Sequence, residues 1–314
     1  MSPEYPTAGA QVARSSRYSD LPRTFRASDA PDVVQQFLFD PVTVHHGNAY
    51  RASDPQFADP AQDRAWRLAR SRALHLVLSS IANSVHVDAL VLRGSVAMSV
   101  WFPESAREPG DLDFVVVPAS WGVTDARTAA LLAGIADGAE TFAARHGEGV
   151  TLSAEGAVIG DIWTYDRVPG RRMVLPWSAT GLPGGDVQLD FVFNESLPEV
   201  PQALELPGGG VIPAASPALS LAWKMLWLVT DAHPQGKDLY DAVLLAERYG
   251  LDRELLRKVF EPDLEVPSPA DVERVAGWAG LDHFALEYPR LRDLAPGLAG
   301  RLVRAVRPAF AERR

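Results

Sequence analysis

The amino-acid sequence predicts an α+β protein in which an α/β domain with a mixed sheet precedes an all-helical C-terminal domain. Three observations predict this class. Residues 86–195 contain several short apolar runs that Pro and Gly interrupt, which is typical of strands. Residues 197–217 are rich in Pro and Gly, as a connector between domains is. Beyond this connector, apolar residues recur at helical spacing almost to the end of the chain.

The domain boundaries follow from the same pattern. Residues 1–60 predict an N-terminal arm that is partly irregular, because polar and turn-forming residues separate its short apolar runs. We assign residues 61–205 to the α/β domain and residues 206–314 to the helical domain. His45 and His46 lie in the arm without a third ligand at a suitable spacing, so a loop or a packed pair is expected there and not a metal site.

The first helix has the clearest periodicity of the α/β domain. Its apolar residues Trp66, Ala69, Ala73 and Leu76 predict a helix over 61–83. The other elements predicted for this domain are a strand over 86–92, a short helix over 96–101, a strand over 111–117, a helix over 124–145 and three strand-like runs between 149 and 195. The C-terminal domain is predicted to contain helices over 217–231, 237–249, 252–260 and 269–279, and a final helical pair.

Composition excludes several classes of protein. The chain contains no cysteine, which excludes disulfides, thiolate metal sites and a cysteine nucleophile. No apolar run is long enough to cross a bilayer and the N-terminus lacks the apolar centre of a signal peptide, so we expect a cytoplasmic protein without a membrane partner. The net charge of -10 argues against a basic surface for non-specific nucleic-acid binding.

Asp111 and Asp113 are the strongest local signal of chemistry. Residues i and i+2 of a strand point to the same face, so both carboxylates lie on one face of the strand DLDFVVV. Two close carboxylates repel each other unless a cation or a proton lies between them. Oxygen ligands of this kind suit Mg²⁺, which uses one or two carboxylates together with substrate phosphates. The alternative is a solvated strand start without a function.

Asp190 is a third acidic residue of interest, because it lies in the apolar strand VQLDFVFNE. A carboxylate in such a strand is costly without a partner. If this strand is adjacent to DLDFVVV, Asp190 completes a metal-binding cluster with Asp111 and Asp113. Otherwise an ion pair with Arg171 or Arg172, from the preceding strand, explains the residue.

Gly94 and Ser95 follow a predicted strand and precede a predicted helix. Glycine allows a backbone to approach a ligand closely, and the N–H groups at the start of a helix bind phosphate. Ser95 is also suited to cap this helix, and the two roles are compatible.

Lys224 and Asp238 predict a second charged group. Lys224 is the only charged residue in the apolar run ALSLAWKMLWLV, so its ammonium either extends to the surface or faces a charged site such as a triphosphate. Asp238 and Asp241 are about one helical turn apart at the start of a predicted helix. They either stabilise the helix dipole, or Asp238 orients Lys224 or acts as a base.

These residues together resemble the AbiEii/AbiGii (MenT-like) family of type IV toxin nucleotidyltransferases. The resemblance lies in a strand ending in Arg93-Gly94-Ser95, a short helix, Arg107, the Asp111-x-Asp113 strand, the Asp190 strand, the Lys224 helix and Lys237-Asp238-x-x-Asp241, and it covers about residues 60–250. The chain departs from the family at Pro109, where Ser or Thr is frequent, and at Arg93, where a Gly-Gly pair is frequent.

The resemblance implies a polymerase β-like nucleotidyltransferase domain followed by a helical domain. It implies Mg²⁺ held by Asp111 and Asp113, with Asp190 as a third candidate ligand, and an NTP bound by Arg93, Gly94, Ser95 and Lys224. Asp111, Asp113, Lys224 and Asp238 would then be the catalytic residues. The expected acceptor is the 3′ end of tRNA, and a cognate antitoxin from an adjacent gene is an expected partner.

Two other functions are compatible with the same residues. The first is nucleotidyl transfer to a small molecule, as in antibiotic-modifying enzymes, which the acidic charge favours. The second is a nucleotide-binding module without catalysis. An RNA acceptor requires a positive surface, and the candidate residues are Arg64, Arg67, Arg70, Arg171, Arg172, Arg301, Arg304 and Arg307.

Overall fold

A computed structural model of the protein describes residues 7–8, 20–28, 30, 33–164, 168–260, 266–276 and 281–310. The chain divides into two compact units. The first unit takes its described residues from Met1–Leu92, Pro109–Glu195 and Leu204–Pro213, and the second unit takes them from Arg93–Glu108, Ser196–Ala203 and Ala214–Arg314. Both units are discontinuous in sequence, in contrast to the continuous domains 61–205 and 206–314 assigned from the sequence.

The described strands form two sheets. Their bounds are β1 (Thr7–Ala8), β2 (Val33–Phe39), β3 (Tyr50–Ala52), β4 (Gln56–Phe57), β5 (Leu90–Arg93), β6 (Asp111–Val116), β7 (Val150–Leu152), β8 (Val158–Thr164), β9 (Val168–Ala179), β10 (Gly185–Val192), β11 (Gln202–Glu205) and β12 (Val211–Ala214). The smaller sheet contains β1 to β4, with β2 pairing antiparallel to the other three. The larger sheet has the order β11-β12-β5-β6-β10-β9-β7, and β8 also pairs with β9.

The larger sheet is mixed, as the sequence predicts. Strand β10 runs parallel to β6, whereas it runs antiparallel to β9. Apolar side chains fill the interior around these two strands: Leu112, Phe114, Leu189 and Phe191 are completely buried. The rings of Phe114 and Phe191 stack with their centroids 5.6 Å apart, which holds the two parallel strands together across their shared face.

The described helices are α1 (Pro60–Ala82), α2 (Ser95–Trp101), α3 (Ala126–His146), α4 (Pro217–Thr230), α5 (Gly236–Tyr249), α6 (Arg253–Phe260), α7 (Pro269–Ala276), α8 (Leu281–Glu287) and α9 (Leu298–Phe310), with 3-10 segments at Pro41–Thr43, Val87–Ala89 and Pro289–Gly297. None of them is both long and apolar enough to cross a membrane, within the described residues.

Helix α1 confirms the periodicity that predicted it. Trp66, Ala69, Ala73 and Leu76 are all buried. The Trp66 ring lies 5.5 Å from that of Trp177 on β9, between ring centroids, so this helix packs on the larger sheet. Asp59 begins the helix by accepting a hydrogen bond from the backbone N–H of Ala61, at 2.9 Å.

Helix α4 is almost entirely buried, as its apolar sequence predicts. Ser216 caps it by accepting a hydrogen bond from the Leu219 N–H at 3.0 Å, and Pro217 occupies its first turn. Helix α4 packs against α5, α6 and α7, and α5 packs against α8 and α9. Burial of these apolar faces holds the described helices of the second unit together.

The expectation of an irregular connector is wrong. The connector 197–217 contains β11 and β12, so residues 206–314 begin with a strand and are not helical throughout. Gly208, Gly209 and Gly210 each have a positive φ, which allows the tight turn between these strands, and Ile212 is completely buried in the second of them.

The start of the chain also differs from expectation. Residues 33–57 belong to the arm that was predicted to be partly irregular, and they contain the short strands β2, β3 and β4, with Gln35, Phe37 and Leu38 buried. His45 and His46 form a packed pair with ring centroids 4.3 Å apart, as expected. The predicted strand 86–92 begins only at Leu90, because a 3-10 turn occupies Val87–Ala89.

Gly170 provides a test of the pairing between β8, β9 and β10. A Cβ at this position would lie 2.8 Å from the backbone oxygen of Phe191 and 2.8 Å from a side-chain carbon of Ile162. We expect Gly170→Ala to reduce the free energy of unfolding by about 1–3 kcal/mol, because the backbone cannot yield easily. Gly297→Ala is the matched control, since no atom lies within 4 Å of its added Cβ. Equal midpoints of urea unfolding for the two variants would contradict this packing.

Candidate active site

Asp111 and Asp113 lie at the first and third positions of β6, in the interior of the larger sheet between β5 and β10. Both are partly exposed, whereas Leu112 and Phe114 between and after them are completely buried. The alternation of a strand therefore directs the two carboxylates to one accessible face of the sheet. The sequence predicted this placement.

The register of β10 brings a third carboxylate to the same face. Asp190 is the direct partner of Asp113 in the parallel pairing, and Gln188 is the partner of Asp111. Paired residues of adjacent strands project from the same face of a sheet. The strand that carries Asp190 is therefore adjacent to DLDFVVV, which was the condition set for a three-carboxylate cluster.

Asp190, however, is engaged by an arginine. It is 7% exposed, and its two carboxylate oxygens accept hydrogen bonds from Arg172 Nε at 2.8 Å and Arg172 Nη2 at 2.7 Å. Gln188 Nε2 donates a further bond at 3.3 Å. The ion pair that was the alternative explanation for Asp190 is thus present, and its role as a metal ligand stays a prediction.

Arg172 has a second acidic partner, which the sequence did not reveal. Its Nη1 forms an ion pair with Asp40, which follows β2 and is also 7% exposed. The dipeptide Asp40-Pro41 resembles an ordinary turn, so only the fold brings this carboxylate to Arg172. Burial alone would lower the pKa of Arg172, but Asp190 and Asp40 outweigh burial and raise it.

The ionisation of Asp190 reflects this crowded environment. Burial raises its pKa and Arg172 opposes that rise, while the charges of Asp111 and Asp40 raise it further, so that the pKa lies above its ordinary value. The influence of Asp111 on Asp190 indicates that negative charge accumulates on this face of the sheet. Such a face favours the binding of a cation.

The donor chemistry of this face fits Mg²⁺. Asp111 and Asp113 supply hard carboxylate oxygens, and a site with two protein carboxylates leaves the remaining positions to phosphate oxygens and water. No group of three His, Cys, Asp or Glu side chains is arranged to hold a metal ion by itself in the part of the chain that the structure describes. Asp111, Asp113 and Asp190 are therefore not a complete metal site by themselves, and a metal ion on this face would need phosphate oxygens or water as further ligands.

In the second unit, Gly94 and Ser95 form the predicted turn into α2. Gly94 has φ 77° and ψ -150°, a conformation that side chains disfavour, and its carbonyl accepts the first helical bond from the Met98 N–H at 3.2 Å. Gly94 is the residue that caps the helix, so the expectation that Ser95 caps it is wrong. The Ser95 side chain is completely buried.

Arg93 is held by aromatic rings in the same unit. Its guanidinium carbon lies 5.2 Å from the ring centroid of Trp223 and 5.1 Å from that of Trp227. Both distances are within the range of cation–π attraction, which stabilises a buried guanidinium. Arg93 is 4% exposed.

Lys224 faces a charged group and does not extend to the surface. Its ammonium donates to Asp238 at 2.6 Å and forms a longer ion pair with Asp241 at 3.4 Å. It also lies 4.7 Å from the ring centroid of Trp227. Helices α4 and α5 therefore meet through a buried lysine on one and two carboxylates, one helical turn apart, on the other.

Arg107 completes this group of charges. Asp241 is inaccessible to solvent, and Arg107 donates to both of its oxygens from Nε, at 3.2 and 3.3 Å, and from Nη2 at 3.1 Å. Arg107 Nη1 donates to the Tyr288 hydroxyl at 2.8 Å. Two cations and two carboxylates thus balance each other, as buried charges require.

The pKa of Asp238 is informative about its chemistry. Burial would raise this pKa, but Lys224, Lys237 and Arg107 outweigh burial and hold it below the ordinary value. A carboxylate with a lowered pKa is a weak base at neutral pH. Of the two roles considered for Asp238, its geometry and its pKa favour the orientation of Lys224.

The arginines proposed for RNA binding differ in exposure. Arg172 is buried and Arg70 donates to the backbone, so neither forms a free positive surface. Three others are paired with carboxylates: Arg67 with Asp63, Arg171 with Asp161 and Arg301 with Glu247. The remaining three, Arg64, Arg304 and Arg307, are exposed.

Comparison with known proteins identifies one family. The sequence model of one family, described as nucleotidyl transferase AbiEii toxin of a type IV toxin–antitoxin system, matches residues 76–293. Curated proteins contain no significant match to the chain. Among solved structures, JHP933 from Helicobacter pylori is similar with a TM-score of 0.46 and 13% sequence identity, covering 77% of this chain and 93% of that chain.

The buried pair of Asp241 and Arg107 can be tested by unfolding. Asp241→Asn leaves the buried Arg107 facing a neutral amide, whereas Lys224 keeps Asp238 as its partner. We expect a loss of about 3–5 kcal/mol in the free energy of unfolding. Glu254→Gln is the matched control, because it neutralises a carboxylate in an exposed ion pair with Arg257. Similar midpoints of urea unfolding for the two variants would show that the Arg107–Asp241 pair does not stabilise the second unit.

The lowered pKa of Asp238 predicts a pH dependence. Its ionised form stabilises the fold above its ordinary value of 3.8, and this contribution is lost as the pH falls from there towards the folded pKa. Asp238→Asn lacks this contribution at every pH. Its melting temperature should therefore decrease less than that of the wild type between about pH 5 and about pH 3. Parallel decreases in the two proteins would refute the assignment.

Proposed function

The chain belongs to the AbiEii nucleotidyl transferase toxin family of type IV toxin–antitoxin systems, and from this premise we propose that it transfers a nucleoside monophosphate from an NTP to an acceptor hydroxyl. Pyrophosphate is the leaving group. The acceptor that we propose is the 3′ end of tRNA, so that the reaction inhibits translation. The observation that carries the proposal is the placement of Asp111 and Asp113 on one accessible face of β6, beside the strand of Asp190.

In this proposal, Asp111 and Asp113 hold Mg²⁺. When bound, the ion offsets negative charge on the phosphate oxygens and favours ionisation of the attacking hydroxyl. By holding the ion in one place, the two carboxylates fix the position of the phosphate oxygens that bind it. Asp190, restrained by Arg172, contributes negative potential beside them and is the third candidate ligand.

The second unit supplies the groups that we assign to the triphosphate. We assign the phosphate contact of the turn to Gly94 and Ser95, at the start of α2. Gly94 is partly exposed and Ser95 is completely buried, so the backbone of Gly94 is the accessible part of this turn. Lys224 supplies positive charge for the phosphates, and Asp238 orients its ammonium. Arg93 adds a guanidinium held between two indole rings. Attack on the α-phosphate in line with the departing pyrophosphate requires this kind of fixed charge.

The partners follow from the same family. Its description as part of a toxin–antitoxin system implies a cognate antitoxin, and the adjacent gene is the place to look for it. For an RNA acceptor, the exposed arginines Arg64, Arg304 and Arg307 are the candidates for phosphate contacts. The net charge of -10 instead favours a small cationic acceptor, which is the second candidate.

A transfer assay tests the proposal. The purified full chain is incubated with each labelled NTP, Mg²⁺ and total tRNA, and we expect label at the tRNA 3′ end. Asp113→Ala and Lys224→Ala should each reduce transfer by about a hundredfold or more, the scale on which loss of one charge-stabilising group acts. Asp88→Ala, an exposed carboxylate on the 3-10 turn, is the matched control and should transfer as the wild type does.

The results separate the candidates. Label on an aminoglycoside but not on RNA would replace tRNA with a small acceptor. The absence of label on RNA, protein and small molecules, with Asp113→Ala indistinguishable from the wild type, would refute nucleotidyl transfer. Growth arrest on expression that Asp113→Ala relieves would support the toxin.

A further inference from the structure

The segment of residues 33–57 reaches the carboxylate-bearing strands through two acid–arginine pairs. This segment, which contains β2, β3 and β4, precedes the part of the chain that matches the family, residues 76–293. It contributes Asp40 to Arg172 and Asp54 to Arg70. Each of these arginines also contacts β6, β10 or the residues immediately before them.

The first pair acts on Asp190. Asp40 is buried, so its charge requires a partner, and Arg172 Nη1 provides it. The same planar guanidinium holds both oxygens of Asp190 through its other two nitrogens. A guanidinium fixed on both sides has little freedom to rotate. Asp40 therefore restrains the Asp190 carboxylate, the partner of Asp113 in the sheet.

The second pair acts on the start of β6. Arg70 Nη1 donates to the Pro109 carbonyl at 3.1 Å and Arg70 Nη2 donates to the Gly110 carbonyl at 3.0 Å. These are the two residues directly before Asp111. Arg70 Nε forms an ion pair with Asp54 at 3.4 Å, which orients the guanidinium for both carbonyls. The position of Asp111 therefore depends on a side chain of α1 that Asp54 orients.

We propose that residues 33–57 are a positioning element of the proposed metal site, acting through Asp40–Arg172 and Asp54–Arg70. The inference rests on the proposed function, because it assigns the metal to Asp111 and Asp113. Asp40 and Asp54 are positioning residues: each acts through an arginine. Asp40 also places a second negative charge on Arg172, the guanidinium that binds Asp190.

A segment that only packs against the sheet would behave differently. Replacing Asp40 or Asp54 by Asn would then change the stability of the protein but not its affinity for a cation. In a positioning element, the same substitutions would change the geometry of the carboxylates and the electrostatic potential at the cation site. Substitution of a residue that orients a metal ligand through a hydrogen bond typically reduces metal affinity about 10–100-fold.

The test measures Mn²⁺ binding to the full chain by electron paramagnetic resonance, without nucleotide. We expect Asp40→Asn and Asp54→Asn each to weaken Mn²⁺ binding about tenfold. In the transfer assay they should raise the KM for Mg²⁺ more than they lower kcat. Asp40→Glu, which keeps the charge, should recover part of the affinity.

Asp63→Asn is the matched control, because it removes a partly exposed carboxylate from an ion pair with Arg67 within α1. It should bind Mn²⁺ within about twofold of the wild type. Thermal melting of every variant verifies folding. If Asp40→Asn does not fold, Asp54→Asn alone tests the positioning role. The Asp54 side chain is 41% exposed, so we expect its replacement by Asn to leave the packing unchanged.

The outcomes distinguish this inference from the proposed function. If Asp111→Ala abolishes Mn²⁺ binding while Asp40→Asn and Asp54→Asn bind as the wild type does, the positioning role is overturned and the metal site stands. If Asp111→Ala binds Mn²⁺ like the wild type, the metal assignment fails and the inference fails with it. Weaker binding in both Asn variants, with Asp63→Asn unchanged, supports the positioning role.

Discussion

The arrangement of carboxylates in the first unit depends on one buried arginine. Asp190 lies in the interior of the sheet and directly beside Asp113, where an isolated negative charge would be unstable. Arg172 binds both oxygens of Asp190 and also pairs with Asp40, so two buried carboxylates share one guanidinium. This sharing leaves an excess of negative charge on the face that carries Asp111 and Asp113. The same interaction therefore makes the sheet stable and keeps its face attractive to a cation.

The second unit accommodates its buried charges in a different way. Arg107 and Lys224 pair with Asp238 and Asp241, and Lys237 also acts on Asp238, so this group has no excess of negative charge. Its contacts fix the ammonium of Lys224 and lower the pKa of Asp238. The two groups differ in net charge, and this difference is a physical reason to propose different roles for them. We propose cation binding for the face that carries Asp111 and Asp113, and the positioning of Lys224 for the helical group. A cation is attracted to excess negative charge, whereas a lysine that acts on phosphate must first be held in place.

The family match identifies the class of reaction and covers residues 76–293. The residues that precede it are not an appendage in this structure, because Asp40 and Asp54 hold the arginines that contact Asp190 and the start of β6. Arg70, a candidate for RNA contact by its sequence, donates instead to the backbone carbonyls of Pro109 and Gly110. Charge in the sequence is thus a poor guide to surface function here, since five of the eight candidate arginines are paired with carboxylates from the same helix, an adjacent strand or distant parts of the chain.

The sequence alone determined most of the helices, the strands that carry the carboxylates and the local grouping of the main candidates. The alternation of DLDFVVV placed Asp111 and Asp113 on one face, because that argument uses only the period of a strand. The apolar surroundings of Lys224 left two places for its ammonium, the surface or a charged site. Tertiary structure decided the partners. The register of β10 placed Asp190 beside Asp113, the fold of residues 33–57 brought Asp40 to Arg172, and the glycines at 208–210 allowed two strands where a connector was expected. Ion pairs between residues far apart in the chain leave no periodic signal, since their spacing is set by how the strands and helices pack and not by the repeat of any one of them.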